Sequence, residues 1–302
     1  MSFAKQTKAS LVKLSQSLKH DCCRRAELYG ILYGAGVFTR ERIKLVTSSE
    51  ELAALCTKRL EDLYGIDANM YVTEKKSGDD RCSCKITVVQ KKDLARLFYQ
   101  LRYEDAEAAH SIKEEMFKCD TCRPAFVRGV FLSAATVTDP DKSYHLELDF
   151  TATAPCENLR AFLSKEGITP KHMTRKNEEV LYYKDSESIE NFLAYIGANN
   201  AAFEIMNKKI ERGIRSDMNR IANGEVANIG KTAKAATSQI AVIRALKESG
   251  ELERMPDELK ITANLRLEHS DASLLRLAEL HTPPITKSGV NHRLKKILEW
   301  KA

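Results

Sequence analysis

The chain has 302 residues, 43% hydrophobic and 30% charged, with a formal net charge of +6. That length suggests two or three domains, with enough apolar content for a sizeable core. No apolar run approaches the roughly 20 residues that cross a bilayer, which argues against a membrane protein; the nearest, Leu28–Phe38, is short and holds three glycines.

From the N-terminus, Met1–Lys19 reads as a Lys-rich amphipathic helix with Phe3, Leu11, Leu14 and Leu18 apolar. It lacks the apolar centre and small-residue cleavage site of a signal peptide, so the expected location is cytoplasmic. Next comes an internal duplication. Cys23–Gly36 aligns with Cys122–Ala135, pairing Cys23 with Cys122, Arg24 with Arg123, Ala26 with Ala125 and Gly30 with Gly129. Small residues also recur four apart, at Gly30 and Gly34 and again at Gly129 and Ser133. That spacing lies on one helix face and lets two backbones approach closely. Helix-interior glycine costs about 1 kcal/mol against alanine, so a paired helix needing the room is the expected cause.

Strands are expected at Val37–Thr39, Arg42–Val46, Ala68–Thr73 and Cys84–Val89, with a helix over Glu50–Tyr64 and a polar turn of Lys, Ser, Gly and Asp before Cys84. After helices near Leu94–Lys118, the second copy repeats the plan: Val137, a strand at Tyr144–Thr151, a helix at Cys156–Glu166, a strand at Val180–Lys184 and a helix at Ser186–Ile196. Leu146, Leu148 and Phe150 alternate as in a half-buried strand. The expected fold class is therefore α+β, a duplicated α+β domain over residues 1–198 (halves about 1–92 and 119–198), followed by an all-α domain.

The eight cysteines are Cys22, Cys23, Cys56, Cys82, Cys84, Cys119, Cys122 and Cys156. In a reducing cytosol these are thiols unless they bind metal or do redox chemistry. Cys82-x-Cys84 and Cys119-x2-Cys122 are the pairs that invite a zinc reading. Their separation and the tight C-x-C are unlike a zinc ribbon, and no helical His pair supports them. Buried thiols are expected, with no metal and no cofactor.

Leu28-Tyr-Gly-Ile-Leu-Tyr-Gly-Ala-Gly36 resembles, in degenerate form, the helix motif of LAGLIDADG homing endonucleases. The resemblance implies a duplicated α+β scaffold with motif helices at the interface and saddle-shaped sheets that lie on DNA. It also implies a metal-binding acid at the eighth motif position. Here that position holds Ala35 and Ala134, so the two-metal strategy for phosphodiester hydrolysis lacks its ligands and no enzyme activity is expected. Asp139, Asp141 and Glu27 are nearby acids, but their spacing puts none at that position.

All the excess positive charge lies in the last third, where Ile205–Ala302 carries 18 Lys and Arg against 12 Asp and Glu. A polyanion-binding surface and simple solubility both explain it. A charged helix over Asn207–Asn223, with Ile210, Ile214, Met218 and Ile221 apolar, reads as a bridge (residues 199–224) that stops at Gly224. Residues 225–302 are expected to hold helices at Glu225–Ser249, Pro256–Glu268, Ser273–Leu280 (capped by Ser270 or Asp271) and about Lys287–Trp300. The last two, joined by a turn with Pro283 and Pro284, form a helix-turn-helix pattern. Val290, Leu294 and Ile297 make the buried stripe of the final helix. Its outer face offers Ser288, Asn291, His292 and Lys295 near the N-terminal half that enters a major groove. Asn pairs bidentately with adenine, and Arg or Lys with guanine. Lys287, Lys295, Lys296 and Lys301 suit phosphate. His292 also reads as a neutral surface or capping residue. Arg293 borders the buried stripe, where a phosphate contact and a salt bridge are both open. A solvated charged face is the alternative for the whole helix.

Thr286-Lys-Ser-Gly-Val-Asn-His-Arg-Leu294, Asn219–Thr232 and Asp139–Leu146 resemble, in order, signature segments of the WhiA family. The family usually has Cys where this chain has Gly224. The resemblance implies a degenerate homing-endonuclease domain joined to a helix-turn-helix similar to the promoter-reading region of sigma factors. It further implies a nucleoid-associated transcriptional regulator, linked to sporulation in some members and to cell division and chromosome segregation in others. Double-stranded DNA is the expected partner, with a sigma factor or another transcriptional regulator as a candidate, and a monomer is plausible because the twofold interface is internal. The alternatives are a protein-docking division factor with only non-specific DNA binding, and a divergent nuclease.

Overall fold

The computed structural model describes residues 2–74, 82–103, 111–176 and 178–300, apart from the side chains at 73, 74 and 82. The expected polar turn before Cys84, part of the Leu94–Lys118 segment and Lys301 lie outside the described residues. The chain divides into two compact units, Met1–Glu211 and Arg212–Ala302.

In the first unit, α1 (Phe3–Gln16) and α2 (Asp21–Tyr33) precede β1 (Val37–Phe38), β2 (Ile43–Thr47), α3 (Glu50–Tyr64), β3 (Asn69–Glu74), β4 (Cys82–Val88) and α4 (Lys91–Gln100). The same order recurs in α5 (Cys122–Ala134), β5 (Ala135–Val137), β6 (Leu146–Phe150), α6 (Thr153–Lys165), β7 (Lys171–Arg175), β8 (Glu178–Tyr183) and α7 (Ser186–Tyr195). Both sheets are four-stranded and antiparallel, ordered β1-β2-β4-β3 and β5-β6-β8-β7. The duplication in sequence is therefore one of topology. Strand β7 was not anticipated: Lys-His-Met-Thr-Arg has no apolar alternation, and it sits at a sheet edge, where polar side chains are tolerated on both faces.

Helices α2 and α5 run side by side in the same direction, and the small residues make the contact. A methyl on Gly30 would run into the Phe126 carbonyl, one on Gly129 into the Glu27 carbonyl, and one on Gly34 into the Ser133 hydroxyl. Aromatic side chains pack beside this seam, with Tyr29 and Phe126 ring centroids 5.0 Å apart. Beneath it lies Glu27, fully buried. Its carboxylate accepts from Arg59 of α3, from Arg128 of α5 and, at 2.7 Å, from Ser15 of α1. The two guanidiniums also donate to the backbone carbonyls of Ser15 and Ile196, at 2.6 and 3.2 Å. Glu27 is thus committed to a structural network linking both halves.

At the C-terminal end of the helix pair, Gly34, Gly36, Ala134, Lys8, Lys44 and Asp149 line a shallow pocket. Burial lowers the pKa of Lys8 to about 8, against a weaker opposing pull from Asp149, and Lys8 Nζ donates to the Leu132 carbonyl at 3.1 Å. Burial and the neighbouring Glu147 raise the Asp149 carboxyl above its usual value.

Residues 199–248 form one helix, α8 (Asn199–Glu248). The expected stop at Gly224 does not occur: the helix passes through Gly213, Gly224 and Gly230, each with open space where a side chain would stand. One helix glycine costs only about 1 kcal/mol, and four-residue hydrogen bonding on both sides carries the helix through. The second unit continues with a 3-10 turn at Glu251–Arg254, then α9 (Asp257–Glu268), α10 (Leu274–Leu280) and α11 (Lys287–Leu298). Ile243, Leu252, Leu259, Ala263, Leu277, Val290, Leu294 and Ile297 belong to its core.

Two substitutions test the seam. Gly129→Ala should lower stability by about 1–3 kcal/mol despite the better helix propensity of alanine, because the obstructing atoms are backbone. Glu27→Ala should cost about 3–5 kcal/mol by leaving two buried guanidiniums uncompensated. Urea denaturation of the full chain measures both, and a neutral or stabilised Gly129→Ala would refute the close approach. Lys8 supplies a pH signature. Between about pH 8 and 10.5 the unfolded chain holds a proton that the folded chain has released, so this group makes stability rise with pH there. Lys8→Met should therefore gain on wild type at about pH 7 and lose that advantage by about pH 10, read as the difference in urea midpoints.

Candidate nucleic-acid interface

Helix α11 owes its position to a cap and a stripe. Thr286 stands at the N-cap and its hydroxyl accepts from the Gly289 amide at 3.1 Å, which ends the preceding turn and starts the helix. Val290, Leu294 and Ile297 recur at helical spacing and are buried, so the opposite face is turned to solvent. The preceding helix is built likewise: Ser273, rather than Ser270 or Asp271, caps α10 by accepting from the Arg276 amide at 3.2 Å. His281 locks α9 to α10, with its Nδ1 2.8 Å from the Leu277 carbonyl and its Nε2 2.9 Å from the Thr262 hydroxyl. Arg266, almost fully buried, donates to the Ala272 carbonyl at 2.6 Å and ties the end of α9 to the loop before α10.

Of the residues singled out in sequence, Lys287, Ser288, Asn291, His292, Lys295 and Lys296 are all exposed on α11. Lys287, Asn291 and Lys295 follow one another at four-residue spacing, as do Ser288, His292 and Lys296, so two adjacent rows of cationic, hydroxyl, amide and imidazole groups cover the outward face. Arg293 is different. It is half-buried and its Nη2 lies 3.1 Å from Glu258 Oε2 of α9; of the two readings left open, the salt bridge is the one present.

The face extends beyond α11. Lys231 and Thr232 of α8, Ser273 and Leu275 of α10, and Lys287 and Asn291 of α11 line one groove. Gln239 lines it too, with a buried side-chain oxygen that has no hydrogen-bond partner. Sequence reading passed over Lys231, Thr232 and Ser273 as site residues. The signal was available: Lys231-Thr232 closes the Asn219–Thr232 segment, but a long helix gives no hint of which turn meets α11.

The cysteines fall differently from the pairing considered in sequence. Cys84 is buried in β4, opposite Thr47 and Val72. Cys119 and Cys122 lie instead with Cys22 and Cys23 at the N-terminal end of the α2–α5 pair. Cys56 and Cys156 are buried thiols, each raised to about 12 by burial.

Comparison with known proteins agrees with this architecture. The "WhiA LAGLIDADG-like domain" family matches residues 123–215 and the "WhiA C-terminal HTH domain" family matches residues 218–300. The chain is 31% identical to a probable cell division protein WhiA of Clostridium novyi over 98% of its length and 96% of the relative. It is 32% identical to one from Desulforamulus reducens, covering 98% and 94%. The crystal structure of full-length DUF199/WhiA from Thermatoga maritima superposes with a TM-score of 0.59 at 25% identity, over 99% of this chain and 97% of that one. No helix among the described residues is long and apolar enough to cross a membrane. With both domain families matched in order and relatives above 30% identity aligned over nearly its whole length, the chain belongs to the WhiA family, a LAGLIDADG-like domain followed by a C-terminal helix-turn-helix domain.

Proposed function

We propose that the chain is a non-catalytic, sequence-specific DNA-binding regulator whose helix α11 reads the major groove of duplex DNA. The observation that carries the reading is the outward face of α11, where Lys287, Ser288, Asn291, His292, Lys295 and Lys296 stand exposed above the buried Val290, Leu294 and Ile297. In this reading Asn291 and His292 face base edges, while Lys287, Lys295 and Lys296 contact phosphate. Arg293, through Glu258, holds α11 against α9, and phosphate contact is its other role. Lys231 and Thr232 widen the cationic footprint along the same groove. The role carried over from the family is transcriptional control at the nucleoid, tied to cell division, chromosome segregation or sporulation. A nuclease role is disfavoured by Ala35 and Ala134 at the motif positions and by the commitment of Glu27 to two arginines.

A specific observation supports a second role for the first unit. Glu147 and Asp149 alternate with buried Leu146, Leu148 and Phe150, so they lie on the sheet face turned away from the core. They share that face with Lys171, Tyr182 and Arg175, and Arg175 bridges both carboxylates, a mixed and internally paired surface that suits docking of a protein, with a sigma factor or another regulator as the proposed occupant.

Asn291→Ala should erase about 1–3 kcal/mol of preference for the cognate site. Lys296→Ala should weaken all duplexes about equally and reduce the slope of log affinity against log salt by about one. Titrations of labelled promoter and scrambled duplexes at several salt concentrations measure both. Wild-type protein that binds every duplex equally would leave only the non-specific division factor, and magnesium-dependent nicking would restore the nuclease.

A further inference from the structure

The four sulfurs of Cys22, Cys23, Cys119 and Cys122 lie within 4.8 Å of one another. The separations are 4.0 Å for Cys22–Cys23, 3.7 Å for Cys22–Cys119, 3.5 Å for Cys23–Cys119 and 3.4 Å for Cys119–Cys122. A single ion bonded to four thiolates at about 2.3 Å in a regular tetrahedron sets its ligand sulfurs about 3.8 Å apart. A disulfide brings two sulfurs to about 2.05 Å and involves no third or fourth. Four of the separations bracket that edge and all stay within 4.8 Å, an arrangement that fits one metal ion.

The surroundings suit thiolates. Cys22 and Cys23 are in the first turn of α2, and Cys122 is the first residue of α5. Both thirteen-residue helices thus point their amide ends at the cluster, which favours negative charge on sulfur. The Thr121 hydroxyl stands 3.1 Å from Cys23 Sγ and 3.2 Å from Cys119 Sγ, placed to donate to a thiolate. Arg25 and Lys118 line the adjoining depression with Cys22, supplying positive charge beside a centre that would carry an excess of two negative charges. Cys119-Asp-Thr-Cys122 is itself a C-x2-C ligand pair, the spacing common in zinc sites. The other pair, Cys22 and Cys23, lies 97 and 96 positions before Cys119, so the local C-x2-C motif shows only half of the ligand set.

We infer that Cys22, Cys23, Cys119 and Cys122 form a structural site for one Zn2+ that staples the two halves of the duplicated domain at the N-terminal end of their shared helix seam. All four ligands come from the protein, leaving no open position for substrate, so the ion's role is structural. Binding releases the thiol protons to solvent and leaves the metal in its divalent state. With Cys22 and Cys23 in the first turn of α2 and Cys122 at the start of α5, the ion ties α2 directly to the entry of α5.

The test is elemental analysis of the full chain purified without chelator from zinc-replete culture, together with intact mass under non-reducing conditions. The expected result is about one zinc per chain and no disulfide. Cys119→Ser and Cys122→Ser should each reduce the bound metal at least several-fold. As a measurement that needs no variant, wild-type protein exchanged with Co2+ should show the visible bands of tetrahedral thiolate-bound cobalt. The inference is overturned by metal-free protein that neither takes up Zn2+ nor gives the cobalt bands, by disulfides among these four cysteines, or by full zinc content in both serine variants.

Discussion

The first unit is organised by one constraint, the approach of two helix backbones to a distance that admits no side chain between them. Gly30 faces the Phe126 carbonyl and Gly129 faces the Glu27 carbonyl, so neither position tolerates even a methyl group. That contact fixes the relation of the two halves more tightly than a leucine-filled interface would, because backbone atoms have no rotamers with which to accommodate error. The rest follows. Each helix leads directly into the first strand of its own sheet, and the two sheets repeat one strand order because each is hung from an equivalent point on the seam.

Such a seam leaves little room for polar groups, yet Glu27 is buried beneath it. Two arginines, one from each half, and the Ser15 hydroxyl saturate the carboxylate. An ion network of this kind adds little net stability compared with packed hydrocarbon, but breaking it is costly, so it enforces one arrangement of α1, α2, α3 and α5. The acid nearest to the motif is therefore held by structure and not released for chemistry. At the far end of the seam, the pocket beside Ala134 carries two lysines and a single carboxylate, a donor set that does not suit a pair of divalent cations.

Much of this was legible in sequence for a physical reason: the features that set the fold are local or repeated. Gly30 and Gly129 recur in register, the Leu146–Phe150 alternation marks a strand, and Val290, Leu294 and Ile297 mark the inward stripe of α11. What escaped was non-local or contrary to local propensity. Strand β7 has no apolar face, since an edge strand made of Lys, His, Met, Thr and Arg need bury little. Gly224 looked like a stop, yet a 50-residue helix absorbs its cost. Lys231 and Thr232 reach the α11 groove only through tertiary placement. The cysteine grouping escaped because the only pairing that chain spacing offered, Cys82-x-Cys84 with Cys119-x2-Cys122, was unlike a zinc ribbon, whereas the seam brings up Cys22 and Cys23.

The two units solve different problems with their charge. In the second, a small apolar core fixes α11 through three side chains, a threonine cap and one ion pair to α9, which leaves the outward rows free of structural duty. Arg293 marks the border, since it is partly buried and paired with Glu258 while the adjacent Lys295 and Lys296 are exposed. In the first unit the outward sheet positions Glu147 and Asp149 are acidic and engaged with His145 and Arg175. The same face also carries Lys171 and Arg175, so its charge is mixed and largely paired. The outward sheet positions are thus engaged in ion pairs within the fold, whereas Lys287, Lys295 and Lys296 on α11 stand exposed.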